Sequence, residues 1–251
     1  MDVAARERAF VRVAGPDAGG HLQRLVSNDV AALDVGGACQ ALLLTAKSRV
    51  IAPLVVWRRG EEDYLLLTEP ELGEAVRSLL VRMRLRARCE IELEEHSSVL
   101  VFGGDGIATD VPGAVEVLDS ELEPTLSGDE LELLRIELGV PRWGREIDES
   151  ILPAEAGLDR THVSFSKGCY PGQEPVARRH FRGHPNRGLR VLELTALPPD
   201  GAELLHDGRP AGRVTSAAAR PDGSAVALAY VRREVPEDAL FEVAGAEARA
   251  G

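Results

Sequence analysis

The stretch Ser164-Phe-Ser-Lys-Gly-Cys-Tyr-Pro-Gly-Gln-Glu174 sets a cysteine between two glycine turns. Gly168 and Gly172, with Pro171, predict a sharp loop with exposed backbone. Cys169 lies two positions after Lys167. A neighbouring ammonium stabilises a thiolate and lowers the thiol pKa from its usual ~8.5. Such a thiolate suits a soft-metal or cluster ligand, a nucleophile or a redox handle. A small buried hydrophobe, the common fate of free cysteine, is the competing reading. His162 and His180 flank the stretch, and a surface or hydrogen-bonded role accounts for either.

Downstream, Arg178-Arg-His-Phe-Arg-Gly-His-Pro-Asn-Arg-Gly-Leu-Arg190 holds five arginines and two histidines, with no acid between Glu174 and Glu193. In a chain of formal net charge −12 this is a local reversal of sign. It suits an anionic tail such as the glutamate chain of a folate, or RNA phosphates, or else a solvated linker paired with acidic surface. Upstream, Glu137 ends an apolar helix between Ile136 and Leu138. A carboxylate is unwelcome at a helix C-terminus and wants a partner. The amino-pyrimidine edge of a pterin would serve, and so would Arg135, Arg142 or Arg145.

The 251 residues are 44% hydrophobic and 28% charged, which fits a globular chain with a core of aliphatic side chains. The acidic balance argues against general nucleic-acid binding. Cys39, Cys89 and Cys169 are far apart and odd in number, so neither a disulfide framework nor a zinc knuckle is expected. That usage reads as a reducing compartment. No secretory signal and no membrane-spanning stretch is legible.

Strands are predicted at Phe10–Val13, Cys39–Thr45, Val50–Arg58, Asp63–Thr68 and Val99–Phe102, with a hairpin through Arg59-Gly-Glu-Glu62. Asp17 is placed to cap a helix to about Val26, with a stop at Ser27-Asn-Asp29. Glu69–Leu80 has helical spacing. From Val81 to Cys89 the period changes to two, with Arg82, Arg84, Arg86 and Arg88 on one side. This predicts a half-buried strand whose arginines meet solvent or an anion. Pro112–Leu126 reads as irregular and acidic. Ser127-Gly-Asp-Glu130 is a capping box for a helix to about Leu138, ended by Gly139 and Pro141. Up to about residue 182 this is an α+β pattern. Beyond Gly183 come short β-type runs at Leu189–Leu194, Ala202–Leu205, Arg213–Ser216, Ala225–Val231 and Leu240–Val243. Asp207-Gly208 and Asp222-Gly223 mark turns among them, predicting a small all-β barrel or sandwich. The junction falls at Gly183-His-Pro-Asn186.

Lys167-Gly-Cys-Tyr-Pro-Gly-Gln-Glu174 resembles the K-G-C-Y-x-G-Q-E signature of the YgfZ family, folate-binding relatives of the glycine-cleavage T-protein. Leu22–Val30, Gln40–Arg49, Arg135–Pro141, Leu152–Ala156, Ala211–Ser216 and Ala227–Arg232 resemble further blocks of that family in the same order. The resemblance implies two fused ferredoxin-like units over residues 1–183, around a folate cavity, and a C-terminal β-barrel over 187–251 that closes a three-lobed ring. It implies tetrahydrofolate or a derivative as cofactor. It implies a cytoplasmic, monomeric accessory protein of iron–sulfur cluster assembly or repair, with radical tRNA-modifying enzymes among its clients. Iron–sulfur proteins or assembly factors would be its partners, with neither nucleic acid nor membrane bound directly. Cys169 and Lys167 carry over as the reactive pair. Asn28, Asp29, Gln40, Arg135, Glu137, Trp143, Tyr170, Gln173 and Arg178 form the expected folate-contacting set, and no metal ligand is assigned. T-proteins carry a catalytic acid in an Asp-Asp-Leu sequence where this chain has Ala52-Pro53-Leu54. A proline side chain holds no acceptor. Aminomethyltransferase activity is therefore the second expectation, and whether the chain turns over a substrate is left open.

Overall fold

In the computed structural model, which describes residues 1–183 and 185–251, the N-terminal region builds two antiparallel sheets. Its elements run β1 (Val3–Ala5), β2 (Ala9–Ala14), α1 (Ala18–Leu25), β3 (Ala38–Leu44), β4 (Val50–Arg58), β5 (Asp63–Thr68), α2 (Gly73–Met83) and β6 (Glu90–Glu94). Then follow β7 (Ser98–Phe102), β8 (Ile107–Ala108), β9 (Ala114–Leu118), α3 (Gly128–Glu137) and α4 (Gln173–Arg182). The last six strands are β10 (Arg187–Leu194), β11 (Glu203–His206), β12 (Arg209–Ala219), β13 (Ala225–Arg232), β14 (Leu240–Val243) and β15 (Ala246–Ala250). Among the described residues no helix is long and apolar enough to cross a membrane.

The first sheet has the order β3-β4-β5-β2-β6 and carries the largest core. One face receives Leu22 of α1 and Val76 and Leu80 of α2 over Val11, Val13, Leu54, Val56 and Leu66. The other face gathers Phe10, Val55, Leu65 and Leu67 against Ile107. Covered on both sides, β5 reads as one unbroken apolar run rather than an alternation. The second sheet, β1-β7-β9-β8, is smaller. The six C-terminal strands close into a barrel in the order β10-β13-β12-β11-β14-β15. Its interior is filled by Leu192, Leu194, Leu204, Val214, Phe241 and the alanines at 225, 227 and 229. The outward Val226 and Leu228 pack on Ile136 of α3, so β13 too is buried on both faces.

Three readings of the sequence are corrected. The strand expected over Val81–Cys89 is absent: α2 continues to Met83, and the chain then turns through Leu85 at φ +50°. Alternation alone does not make a strand; a pairing partner is needed. The edge position beside β2 belongs to β6, which pairs Glu90–Glu94 with Ala14–Phe10. Val81, Met83 and Leu85 are consequently exposed. Pro112–Leu126 is not wholly irregular, since β9 pairs with both β7 and β8. Its inward position is Glu116, which breaks the apolar alternation that would have shown it. Asp17 does precede α1, but its carboxylate accepts from the Arg88 backbone N–H and guanidinium instead of capping the helix. Other turn and cap readings agree with the backbone. Ser127 and Glu130 form the reciprocal box, and Asp207-Gly208 turns the β11–β12 hairpin with φ of 51° and 70°. His184, read as part of the junction and the basic stretch, lies outside the described residues.

Candidate functional site

A cavity of about 350 Å³ opens where the two sheets, the segment after α3 and the barrel meet. Its floor is Gln40 of β3 and Pro53, Leu54 and Val55 of β4; Leu158 and His162 stand on one side and Leu189, Val191 and Leu228 of the barrel on another. The size, and a lining in which apolar side chains mix with polar and charged ones that include Arg160 and Arg190, suit a small organic ligand bearing polar groups. Gln40 is held by its amide, which donates to the Thr109 carbonyl at 2.8 Å. Pro53 faces the cavity without a side-chain acceptor, and its carbonyl accepts from the Thr68 hydroxyl at 2.8 Å.

A buried charge cluster stands behind one wall. The Arg8 guanidinium meets Glu116 at 3.1 Å, Asp110 at 3.1 Å and Glu69 at 3.8 Å, and Arg6 meets Asp110 at 2.8 Å. Glu116 is fully buried and also accepts from the Ser98 hydroxyl at 2.6 Å. Burial alone would raise the pKa of Asp110, but Arg6 and Arg8 outweigh it and hold the carboxyl well below the usual range. Burial raises the pKa of Glu69, and Arg8 and Arg6 only partly offset it. His162, buried in the same wall, is pushed down to about 4 by desolvation and is neutral at pH 7. None of these wall residues except His162 was singled out in the sequence. Arg6 and Arg8 read as part of a charged terminus, Asp110 fell among residues 107–111, to which no element was assigned, and Glu69 looked like the opening of a helix.

The signature loop is anchored to the first sheet. Gly172 sits at φ +81° with a Cβ position 2.5 Å from the Thr45 carbonyl oxygen, so only glycine fits. The Ser48 hydroxyl donates to the Gly172 carbonyl at 2.7 Å. Gly168 has no such constraint. Lys167 is buried, and its ammonium donates to the carbonyls of Val26 and Asn28, each at 2.7 Å, just past the C-terminus of α1. Burial lowers its pKa to about 8, with Asp29 and Cys39 acting in opposition. Burial likewise pushes the Cys39 thiol up to about 11, with Lys167 opposing. The thiol whose charge couples to Lys167 is thus Cys39. The expected pairing of Lys167 with Cys169 is corrected: the ammonium runs inward to the α1 end, while Cys169 is exposed. Tyr170 is buried with the Lys167 ammonium 5.4 Å from its ring centre, and its hydroxyl has no partner among the described residues. Burial moves its pKa up to about 12.

Of the expected folate-contacting set, Gln40 lines the cavity. Asn28 spends its amide on the carbonyls of Gln40 at 2.7 Å and Thr161 at 3.1 Å, bracing two lining residues from behind. Asp29 accepts from the Gln23 amide at 2.9 Å. Trp143 and Arg135 lie along a neighbouring groove that shares Glu69, Asp110, Val140 and Pro141 with the cavity. Arg135 is a structural joint: it reaches Glu132 at 2.7 Å, the buried Glu146 at 3.0 Å and the Ser216 hydroxyl at 2.8 Å. Glu137 is exposed and outside the cavity lining. Its partner is none of the three arginines anticipated but Arg220 of the barrel, which donates at 2.8 Å. Because α3 packs against β12 and β13, the barrel can supply the cation that the helix end wants. Gln173 opens α4, Arg178 is exposed on it, and neither they nor Tyr170 or Cys169 line the cavity. Among the described residues no group of three or more His, Cys, Asp or Glu side chains could hold a metal ion.

No protein-family profile matches the chain. Relatives do. The chain is 33% identical to the tRNA-modifying protein YgfZ of Klebsiella pneumoniae over 60% of its length and 50% of that protein. It is 28% identical to an iron–sulfur cluster assembly factor IBA57 homologue, mitochondrial, of Mycosarcoma maydis, over 81% of this chain and 60% of that one. An aminomethyltransferase of Exiguobacterium sibiricum matches 97% of the chain and 81% of itself at 26% identity. Among solved structures, the glycine cleavage system aminomethyltransferase T of Bartonella henselae superposes with a TM-score of 0.84, covering 99% of this chain and 84% of its own, at 19% identity. That last likeness is one of fold.

Proposed function

We propose a function that starts from kinship: the chain belongs to the YgfZ/GcvT-like family, to which its YgfZ, IBA57 and aminomethyltransferase relatives also belong. In this reading it is a cytoplasmic, monomeric, tetrahydrofolate-binding accessory protein of iron–sulfur cluster assembly or repair, supporting enzymes such as the radical enzymes that modify tRNA. The two sheets are read as the paired ferredoxin-like units over 1–183, and the barrel over 187–251 as the third lobe of a ring. The observation that carries the proposal is the cavity walled by both sheets and the barrel, with Pro53 on its floor.

The residues present fit a folate. Pro53, Val55, Leu158 and Leu228 offer apolar contact, and Gln40 and Glu69 offer polar groups for a heterocycle edge. When bound, tetrahydrofolate supplies nitrogens that carry a one-carbon unit. The chain's own contribution is to hold the ring, exclude water around it, and present Cys169 on the surface to an iron–sulfur partner. The cluster itself is cargo, met at an exposed thiol.

Calorimetric titration with tetrahydrofolate tests the binding half, and saturable binding is expected. The other half is tested in a deletion strain: Cys169→Ser is expected to fold and bind folate yet fail to restore cluster-enzyme activity. Full rescue by Cys169→Ser removes the thiol from the function. The second reading, aminomethyl transfer, draws on the match to the Exiguobacterium enzyme over nearly the whole chain. Formation of methylenetetrahydrofolate from an aminomethyl-lipoyl carrier would establish it. Ala52 and Pro53, which leave β4 without an acid there, argue for a negative result.

A further inference from the structure

We infer that Glu69 is the acid that grips the ligand in the central cavity, and that it takes a flat edge bearing two parallel N–H donors. The assignment rests on the folate reading of that cavity and names the contact made there, the 2-amino and N3–H edge of the pterin ring.

Around the wall, the guanidiniums of Arg6 and Arg8 face the carboxylates of Asp110, Glu116 and Glu69. The cluster therefore has one negative charge more than it has positive. The hydrogen bonds show which carboxylate carries the surplus. Asp110 accepts from Arg6, Arg8 and the Thr109 hydroxyl. Glu116 accepts from Arg8 at 3.1 and 3.2 Å and from Ser98. The Glu69 carboxylate accepts no hydrogen bond among the described residues, although the residue's backbone carbonyl takes one from the Leu72 N–H, and its one salt-bridge partner, Arg8, stands off at 3.8 Å. Yet its side chain is only 16% exposed. A carboxylate so far withdrawn from water without a donor is costly unless something else supplies the hydrogen bonds.

Position selects what supplies them. Glu69 follows β5 directly and lines the cavity as well as the adjoining groove. The preceding residue, Thr68, donates to the carbonyl of Pro53, so Glu69 comes from the strand alongside the position where β4 offers no acid. Pro53, Val55 and Leu158 give the same cavity apolar faces for a ring. A carboxylate beside a flat apolar slot pairs best with two parallel N–H groups, as it does with an arginine fork. Arg8 cannot satisfy that demand from 3.8 Å while held by Asp110 and Glu116.

Calorimetry on the full chain tests this with two probes, tetrahydrofolate and its 2-desamino-2-methyl analogue, against the wild type and Glu69→Gln. Glu69→Gln is expected to weaken tetrahydrofolate at least tenfold. The analogue is expected to bind the wild type at least tenfold more weakly than tetrahydrofolate, and to lose little further in Glu69→Gln, because the same contact is already gone. Wild type that binds both probes equally, or Glu69→Gln that binds tetrahydrofolate as tightly as wild type, overturns the assignment of Glu69 and leaves the folate reading standing. Wild type that binds neither probe overturns both. If Glu69→Gln does not fold, the comparison of probes on the wild type decides alone.

Discussion

Replacing Lys167 by Met should change how the protein's stability responds to alkali. The ammonium is buried beneath the signature loop and donates to the carbonyls of Val26 and Asn28. Burial depresses its pKa to about 8 from the ordinary lysine value of 10.5. Below pH 8 both folded and unfolded chains carry the proton, and the folded chain bears the whole penalty of the buried charge. Between about 8 and 10.5 the unfolded chain binds more proton than the native one, so stability rises with pH. The full gain is about 3 kcal/mol. Cys39 works in the opposite direction, since a thiol raised to about 11 from 9 loses stability as pH climbs between those values. That loss is common to wild type and Lys167→Met, and largely cancels in their difference. Lys167→Met strips two carbonyls of a donor and should be less stable at pH 7 by about 1–3 kcal/mol. Its deficit should then widen by about 3 kcal/mol between pH 8 and 10.5. Urea unfolding at half-unit pH steps, with the denaturant slope held constant, measures this. A deficit that stays flat over that range refutes the buried, charge-depressed lysine.

Three further outcomes follow from the same geometry. His162, held neutral with a pKa of about 4 against an ordinary 6.5, should cost the protein about 3 kcal/mol as pH falls from 6.5 to 4; His162→Gln should flatten that limb of the acid-unfolding curve. Arg135→Met leaves the fully buried Glu146 without its cation and should destabilise by about 3–5 kcal/mol in urea, with Arg135→Met/Glu146→Leu recovering part of the loss. Among the three thiols, Cys169 should react first with iodoacetamide in the native protein while the withdrawn Cys39 and Cys89 react only on unfolding; equal rates read by mass spectrometry would contradict their placement.

Local rules made β2 to β5 of the first sheet, the α3 cap and the β11–β12 and β12–β13 hairpins legible, because each is decided by neighbours in sequence. Ser127 and Glu130 announce a helix start wherever they fold, and Asp207-Gly208 announces a tight turn. The failures share a cause too. Val81–Cys89 alternates well enough for a strand, and what denies it that state is β6 occupying the sheet edge, a tertiary fact. Glu116 hid β9 because a buried charge looks like an exposed one until Arg8, 108 residues away, is set beside it. The candidate site divides the same way. The loop around Cys169 was found from its glycines and thiol. The cavity wall was not, because Arg8, Glu69 and Asp110 are ordinary surface letters that only the fold turns inward. Glu137 was legible as an acid wanting a cation, but not that β12 would bring Arg220 to it.

The threads that seat the thiol loop join distant parts of the chain. Lys167 reaches the Val26 carbonyl across 141 residues, Ser27 reaches that of His162 across 135, and Ser48 that of Gly172 across 124. Closing circuits that long costs entropy before any contact repays it. On the ribosome, the early strands must therefore wait with their loop-binding edge bare until well over half of the polypeptide has emerged. The hollow is finished later still, since Leu189, Val191 and Leu228 of the barrel make one of its walls, and a nascent chain halted before Leu228 would hold the thiol loop without a closed cavity beside the sheets.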